Sequence, residues 1–559
     1  MASKPSPKPS KPSKPSKPII ANDEQLQSFT QDNFEKELKA LASKAQEETT
    51  TKFLLSQLWV LAQSATLLSL AAIYSNVSQL TLSPVYGSYP AGIWHSKGVM
   101  MACFLEGLTF LPLLLLSVSC TATTLDDLEL TSGRWPWISD AAPGIISYAF
   151  FKTTEYVSAN QISQYIGQSV ILTRLGMQIV LQALYSAFAP SKLLLWILPA
   201  VFHTALFNVH VPAPYALNRL NSTMNSQGWS ILERKESLTG YLSVIESLTM
   251  GNGFRAMRCD HSLLGGEWLV NGKKAKGLAE PIYGIFVMLE AIRLIEVEKP
   301  IKDEDASALV IGLGIGTTPA ALISHGIHTT LVEIDPVVVD FAQKYFSLPE
   351  PQETIIDDAV SVASNFATQG KKFNYIVHDV FTGGAEPVDL FTYEFLKDLH
   401  DILEPGGVIA INYAGDFLLP PFSIIHRTIR SLFSTCRIYR EAEAPTDQHI
   451  AKTGQDFTNM VIFCTKPLSE NPSSSPAPAI KFRNPIEKDF LKSNARRAYL
   501  LPKWEIEDEE LSRGEEKGDE EFAGILRRND TARLAEWQVK SAKGHWGVMR
   551  GVLPGGCLD

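Results

Sequence analysis

The chain has 559 residues, 45% of them hydrophobic, with 50 basic and 60 acidic side chains and a formal charge of −10. That length calls for two or three units rather than one domain. Mild acidity without a basic stripe carrying interleaved aromatics argues against nucleic acid as a partner.

In chain order, the first eighteen residues repeat Lys-Pro-Ser and cannot bury a core. Residues 1–52 are expected to form a disordered basic region whose lysines are available to anionic membrane lipid. From Phe53 to Val77 no charged side chain occurs over 25 positions, enough helix to cross a ~30 Å hydrocarbon core. The run lies too far from the terminus, and is too long, to be a signal peptide. A second span is read from about Gly98 to Cys120 with Glu106 inside it, and two more at Ile166 to Pro190 and Leu193 to Val211. Arg174 is a candidate partner for Glu106, with snorkelling as the alternative. Ala141 to Asn160, apolar but for Lys152 and Glu155, reads as interfacial or re-entrant, a fifth span being the alternative. Residues 53–211 thus predict a transmembrane helical region of about four spans. The lysine-rich terminus should stay cytoplasmic, and four spans return the chain to that side. A multi-pass membrane protein with a cytosolic soluble domain is the expectation.

Residues 222–300 show short alternating strands with glycine turns and then the helical "EPIYGIFVMLEAIRLI", so a small antiparallel lead-in plus helix is predicted. Strand and helix alternate through residues 301–466, ending in a predicted antiparallel hairpin. The fold class is therefore α/β: a doubly wound, largely parallel sheet binding its ligand at the strands' carboxyl ends. Residues 467–559 read as a linker and an acidic tail, with ten acids against two bases between Glu505 and Glu521. The six cysteines, Cys103, Cys120, Cys259, Cys436, Cys464 and Cys557, show no C-x-x-C pair and no histidine at ligand spacing, which speaks against a disulfide framework and a metal site.

The chemistry is carried by "VIGLGIGTT", in which Gly312, Gly314 and Gly316 follow a predicted strand and open a helix. A dinucleotide loop would space its glycines as G-x-G-x-x-G, and this one does not. Glu333, seventeen residues beyond Gly316 at the next strand's end, can accept hydrogen bonds from ribose hydroxyls. Asp357 and Asp358 follow the third strand, where one could reach an adenine amino group; Asp358 is equally a helix N-cap candidate. Asp379 ends the fourth strand and can orient an amine nucleophile and take its proton, with a loop-capping role as the alternative. Loop, ribose acid and adenine acid together suggest a nucleoside of the adenosylmethionine type, and the sheet one of the methyltransferase-like type.

From about Trp229 to Thr465 the sequence resembles the spermidine/spermine synthase (aminopropyltransferase) family, through "ALVIGLGIGTT", "LVEIDP", "IIDDA", "FNYIVHDVFTGGAEPVDLFTYEFL" and "LEPGGVIAINYAG". The resemblance implies transfer of an aminopropyl group from decarboxylated S-adenosylmethionine to a small-molecule amine, within polyamine biosynthesis. It assigns Glu333 to ribose, Asp358 to adenine and Asp379 as catalytic base, and makes Tyr283 a substrate-pocket tyrosine, with core packing as its other role. Three positions depart from the family pattern: Ile315 and Thr382 stand where it carries aspartates, and Gly284 where it carries glutamine or histidine. Two further readings stay open: a methyltransferase using S-adenosylmethionine itself, and a non-catalytic membrane sensor of nucleoside or polyamine. The oligomeric state is left open.

Overall fold

The computed structural model describes residues 31–86, 114–119, 121–122, 136–198, 202, 214–247, 253–260, 262–269, 277–380, 387–417, 419–454, 456–468, 479–507, 524–534 and 537. Helix α1 (Gln31–Tyr86) runs unbroken for 56 residues. Helicity thus begins inside the stretch expected to be disordered to residue 52. Across it pack α2 (Pro136–Tyr165) and α3 (Arg174–Phe188), burying Leu67, Leu70, Tyr74, Met177, Leu181 and Tyr185 in one cluster. Among the described residues one helical stretch, Leu38–Leu80, is long and apolar enough to cross a membrane.

Several span expectations change. The proposed Ile166–Pro190 span is a turn followed by the 15-residue α3, short of the roughly 20 residues a crossing needs. The segment Ala141–Asn160 is not re-entrant but lies within uninterrupted α2. Its Glu155 accepts from Ser75 Oγ at 2.5 Å and from Lys152 Nζ at 2.6 Å. Most of the proposed Gly98–Cys120 and Leu193–Val211 spans, and Glu106 itself, lie outside the described residues. Arg174 pairs instead with Glu236, Nη1 to Oε1 3.0 Å.

After α4 (Pro214–Ser226) come β1 (Trp229–Glu236), β2 (Tyr241–Ser247), β3 (Phe254–Cys259), β4 (Ser262–Trp268) and β5 (Glu280–Pro281), a five-stranded antiparallel sheet in sequential order. This is the expected lead-in, and α5 (Gly284–Leu289) follows it. The second sheet holds β6 (Ser307–Ile311), β7 (His328–Glu333), β8 (Glu353–Ile356), β9 (Phe373–His378), β10 (Leu403–Asp416), β11 (Thr435–Arg440), β12 (Phe457–Thr465) and β13 (Trp504–Ile506). Their spatial order is β13-β11-β12-β10-β9-β6-β7-β8, parallel from β10 to β8. Helices α6 (Thr317–Ser324), α7 (Pro336–Phe346), α8 (Ala359–Gln369), α9 (Tyr393–Ile402) and α10 (Pro420–Arg430) make the crossovers. Both faces are covered, so successive residues of β6 enter opposite cores: Ala308 and Val310 one, Leu309 and Ile311 the other.

The expected antiparallel closing hairpin is formed by β11 and β12. β12 inserts between β10 and β11 and does not form the edge. The edge is β13, from the tail read as linker and acidic chain. Nearby, Arg496 is buried against Glu290 at 2.8 Å and Phe482 bridges Ile295, so residues 479–507 belong to the domain. Apolar side chains and buried ion pairs, Arg496–Glu290 and Arg293–Asp489, outweigh the local acidity. Cys436 and Cys464, opposite each other on β11 and β12 with Cα atoms 4.1 Å apart, form a disulfide. The sequence spacing of 28 carried no sign of it, because cross-strand neighbours are set by register.

Candidate active site

The chain winds from β6 outward to β8, then returns to β9 beside β6. That reversal opens a crevice at the carboxyl ends of β6 and β9, where doubly wound sheets take their ligands. Register pairs Ile311 with His378, which brings Gly312 against Asp379. Gly312 has φ +84°, and a Cβ there would lie 2.1 Å from the Asp379 carbonyl oxygen. Gly314, at φ +54°, would meet the Leu264 carbonyl at 2.3 Å. The turn thus needs glycine twice, for its backbone and for close approach to β9 and β4. Gly316 has a different job: at φ +85° it caps α6 and faces Leu348, away from the crevice.

The crevice deepens into a cavity of about 340 Å³, within the range of small-molecule sites. Gly312, Gly314, Glu333, Asp357, Asp358, Asp379 and Tyr283 all line it; of the sequence-predicted residues, Gly316 alone does not. Glu333 Oε2 accepts from the Leu313 amide and Oε1 from the Asp335 amide, each at 3.0 Å. Burial pushes its carboxyl up to about 7, against the pull of those amides. Asp358 caps α8, accepting from Ser361 N at 3.2 Å, and also lines the cavity. Asp357 is exposed at the rim and accepts from the Asp358 amide.

Asp379 Oδ1 accepts from Asn412 Nδ2 at 2.7 Å. Burial raises its carboxyl to about 6, and the Asn412 bond opposes that rise. The preceding His378 turns its ring to the Leu390 carbonyl, and burial holds it near 4, hence neutral. The Tyr283 hydroxyl is buried without a hydrogen-bond partner among the described residues. Burial, then the Glu441 charge, push it up to about 12.

Sequence reading missed the wall contributed by the lead-in sheet, Leu238, Thr239, Cys259, Asp260, Leu263 and Leu264, and the polar pair Asn412 and Asn459. A polar residue inside the apolar run "VIAINYAG" was the available signal for Asn412. Among the described residues the lining carries five carboxylates, Asp260, Glu333, Asp357, Asp358 and Asp379, and no lysine, arginine or histidine. It therefore favours a positively charged ligand. Among the described residues no group of three His, Cys, Asp or Glu side chains is arranged to hold a metal ion.

Two of the three departures gain a structural reason. Ile315 is buried, packed below Gly265 of β4 rather than in the cavity. Gly284 leaves room for Tyr499, whose ring would be 2.7 Å from a Cβ there. Thr382 lies outside the described residues.

Residues 293–442 match the family model described as Spermine/spermidine synthase domain. A polyamine aminopropyltransferase from Vibrio vulnificus is 32% identical over 139 residues, 24% of this chain and 46% of that protein. A probable spermidine synthase from Corynebacterium glutamicum superposes with a TM-score of 0.36 at 17% identity, over 54% of this chain and 95% of that one; nothing below rests on that likeness. An N-terminal histidine N-methyltransferase from Emericella nidulans is 42% identical over 552 residues, 88% of this chain and 96% of that protein. The chain belongs to the N-terminal histidine N-methyltransferase family. Family membership makes it an enzyme, a transferase. Methyl transfer, placed second in the sequence reading, moves ahead of aminopropyl transfer, since the Vibrio aminopropyltransferase matches only 24% of the chain.

Proposed function

We propose that this chain is an S-adenosylmethionine-dependent N-methyltransferase whose acceptor is the N-terminal histidine of a polypeptide. The observation that carries the reading is the likeness over 88% of the chain to a protein named for that reaction. The five carboxylates among the described lining residues support an adenosylmethionine-type cosubstrate, because it carries a sulfonium. When bound, S-adenosylmethionine supplies an electrophilic methyl carbon. In this reading Glu333 takes the ribose hydroxyls and Asp358, or Asp357, the adenine amino group, with Val332, Ile334 and Ala359 as apolar walls; all line the cavity. Asp379 holds the acceptor in line and takes the proton released, from the α-amino nitrogen itself or, where a ring nitrogen is methylated, from the other imidazole nitrogen: the N–C bond forms as the C–S bond breaks, the electron pair goes to sulfur and the proton to the carboxylate. Tyr283 offers an unsatisfied hydroxyl to the acceptor.

The expected small-molecule amine gives way in this reading to a peptide end. Membrane association remains part of it, supported by Phe53, Leu54, Leu55, Leu58 and Trp59 exposed on α1 and Ile145 and Ile146 on α2. The Cys436–Cys464 disulfide weighs against the expected cytosolic orientation, since such bonds persist in oxidising compartments.

The test is mass spectrometry of peptides incubated with the full-length, detergent-solubilised protein and S-adenosylmethionine. A histidine-first peptide should gain one methyl group, its alanine-first counterpart none, and Asp379→Asn should abolish the gain. Aminopropylation of a polyamine from the decarboxylated cosubstrate, with the peptides unmodified, would overturn the reading.

A further inference from the structure

Asn412 sits on β10 beside the end of β9, in the only cavity-lining pair that joins an amide directly to the proposed base among the described hydrogen bonds. An ionised carboxylate can only accept, so it selects the NH2 end of the amide to face it and turns the carbonyl end away. That carbonyl oxygen, Asn412 Oδ1, is buried and has no hydrogen-bond partner among the described residues. A buried acceptor left unmet is costly. A ligand in the cavity is the candidate to meet it, and it must do so with an N–H or O–H.

We propose that Asn412 is a positioning and recognition residue: its Nδ2 fixes the rotamer and charge of Asp379, while its Oδ1 accepts a hydrogen from the histidine head group being methylated. A histidine N-terminus carries hydrogens on both its imidazole and its α-amino nitrogen, so one can face Asp379 while another meets Asn412. The inference rests on the reaction proposed above. It adds a second contact to the acceptor's N–H hydrogens beside the one Asp379 makes.

The titratable groups that share the cavity with Asp379 are Glu333 at the end of β7, Asp357 and Asp358 after β8, Cys259 at the end of β3 and Asp260 after it, and Tyr283 before α5. His378 adjoins it on β9 with its ring turned to Leu390. None of these is a cation, so Asn412 supplies the one side-chain bond that favours the ionised form of Asp379.

Two variants of the full-length protein separate the roles. Asn412→Leu removes both halves of the amide: kcat should fall and the KM for a histidine-first peptide should rise, each by roughly 10-fold or more, the effect of one charge-assisted hydrogen bond. The Kd for S-adenosylmethionine should stay within about twofold. Asn412→Asp keeps an acceptor oxygen but loses the donor: peptide KM should stay near the parent value while the acid limb of the kcat profile moves to higher pH. Asn412→Leu, which adds no charge, should move that limb the same way, whereas a purely structural asparagine replaced by leucine would leave it in place. An unmoved limb in Asn412→Leu, or a loss confined to cosubstrate affinity, overturns the proposal. If Asn412→Leu does not fold, Asn412→Ala takes its place in the pH profile. Should the parent protein transfer no methyl to histidine peptides, the function proposed above fails. The Asn412 contact is then judged from the infrared carboxyl band of Asp379, assigned by difference with Asp379→Asn. In Asn412→Leu, or Asn412→Ala, that band should protonate at higher pH than in the parent, and an unchanged titration overturns the contact as well.

Discussion

Arg174 Nη1 lies 3.0 Å from Glu236 Oε1, with the two side chains 0% and 4% exposed. The same oxygen accepts from the Arg174 backbone amide at 2.6 Å, and Nε donates to the Leu80 carbonyl at 2.9 Å. One guanidinium therefore joins α1, α3 and the end of β1. Removing it leaves a carboxylate buried without its charge partner, which costs about 3–5 kcal/mol. Arg174→Leu should lower the thermal midpoint of the full-length protein, and the double variant with Glu236→Leu should recover much of the loss. Equal losses in both would show that the ion pair is not what ties the helices to the domain.

From the same junction, Ser237 Oγ donates to Asp335 at 2.5 Å, and the Asp335 amide holds Glu333 at 3.0 Å. Glu333 is buried, and its protonated form is favoured in the fold up to about pH 7. With the folded value raised above the unfolded one, the stabilisation is complete below pH ~4.5 and is lost as pH rises through about 7. At 1.4 kcal/mol per unit the change approaches ~3 kcal/mol. The unliganded protein should melt at a higher temperature at pH 5 than at pH 8, and Glu333→Gln should flatten that difference. A parent melting profile that is level across this range removes the buried acid from the account.

The acid limb of turnover should follow Asp379, whose carboxyl burial lifts to about 6. The base works ionised, so kcat/KM, which reports the free enzyme, should rise tenfold per pH unit below about 6 and level off above it. A limb centred near 4 would mean that an exposed, unperturbed carboxylate does the work.

The glycine turn makes a geometric forecast. At Gly312 both the positive φ and the 2.1 Å approach to the Asp379 carbonyl forbid a methyl group. Gly312→Ala must push β6 and β9 apart at the crevice, and should weaken cosubstrate binding by more than about tenfold while leaving the helical region intact. Calorimetric titration with S-adenosylmethionine reads this directly. Gly316→Ala is the contrast, because there the neighbour is the Leu348 side chain, which can move.

How far the site was legible follows from how its residues are linked. Gly312, Glu333, Asp358 and Asp379 each end or follow a strand of the parallel sheet, so strand-helix alternation alone delivers them to one rim. Leu264, Asp260 and Asn412 arrive from β4, β3 and β10 through long-range packing that leaves no periodic trace. The tail was misread for a related reason: Trp504–Ile506 and Arg496 earn their places by pairing with β11 and Glu290, distant partners invisible to local composition. In the helical region, apolar runs located the candidate crossing within α1 but not its ends, since charged residues near the helix start are as compatible with helix as with coil. For Arg174 the sequence offers Glu106 or snorkelling, whereas among the described residues it pairs with Glu236, 62 positions away at the end of β1.

Tyr283 separates recognition from packing. Its ring lies edge-on to Phe286 with centroids 6.2 Å apart, which phenylalanine preserves, while its hydroxyl is buried with no partner among the described residues. If the hydroxyl only fills space, Tyr283→Phe removes an unsatisfied polar group and stability should hold or rise by up to about 1 kcal/mol with kinetics unchanged. If it meets the acceptor, stability should still hold or rise, but peptide KM should increase by roughly 5- to 10-fold, the worth of one neutral hydrogen bond. We expect the second pattern, because the hydroxyl belongs to a residue lining the cavity shared with Asp379. Measuring KM for the histidine-first peptide beside the thermal midpoint distinguishes the two, and a wild-type KM with a raised midpoint would return Tyr283 to the core.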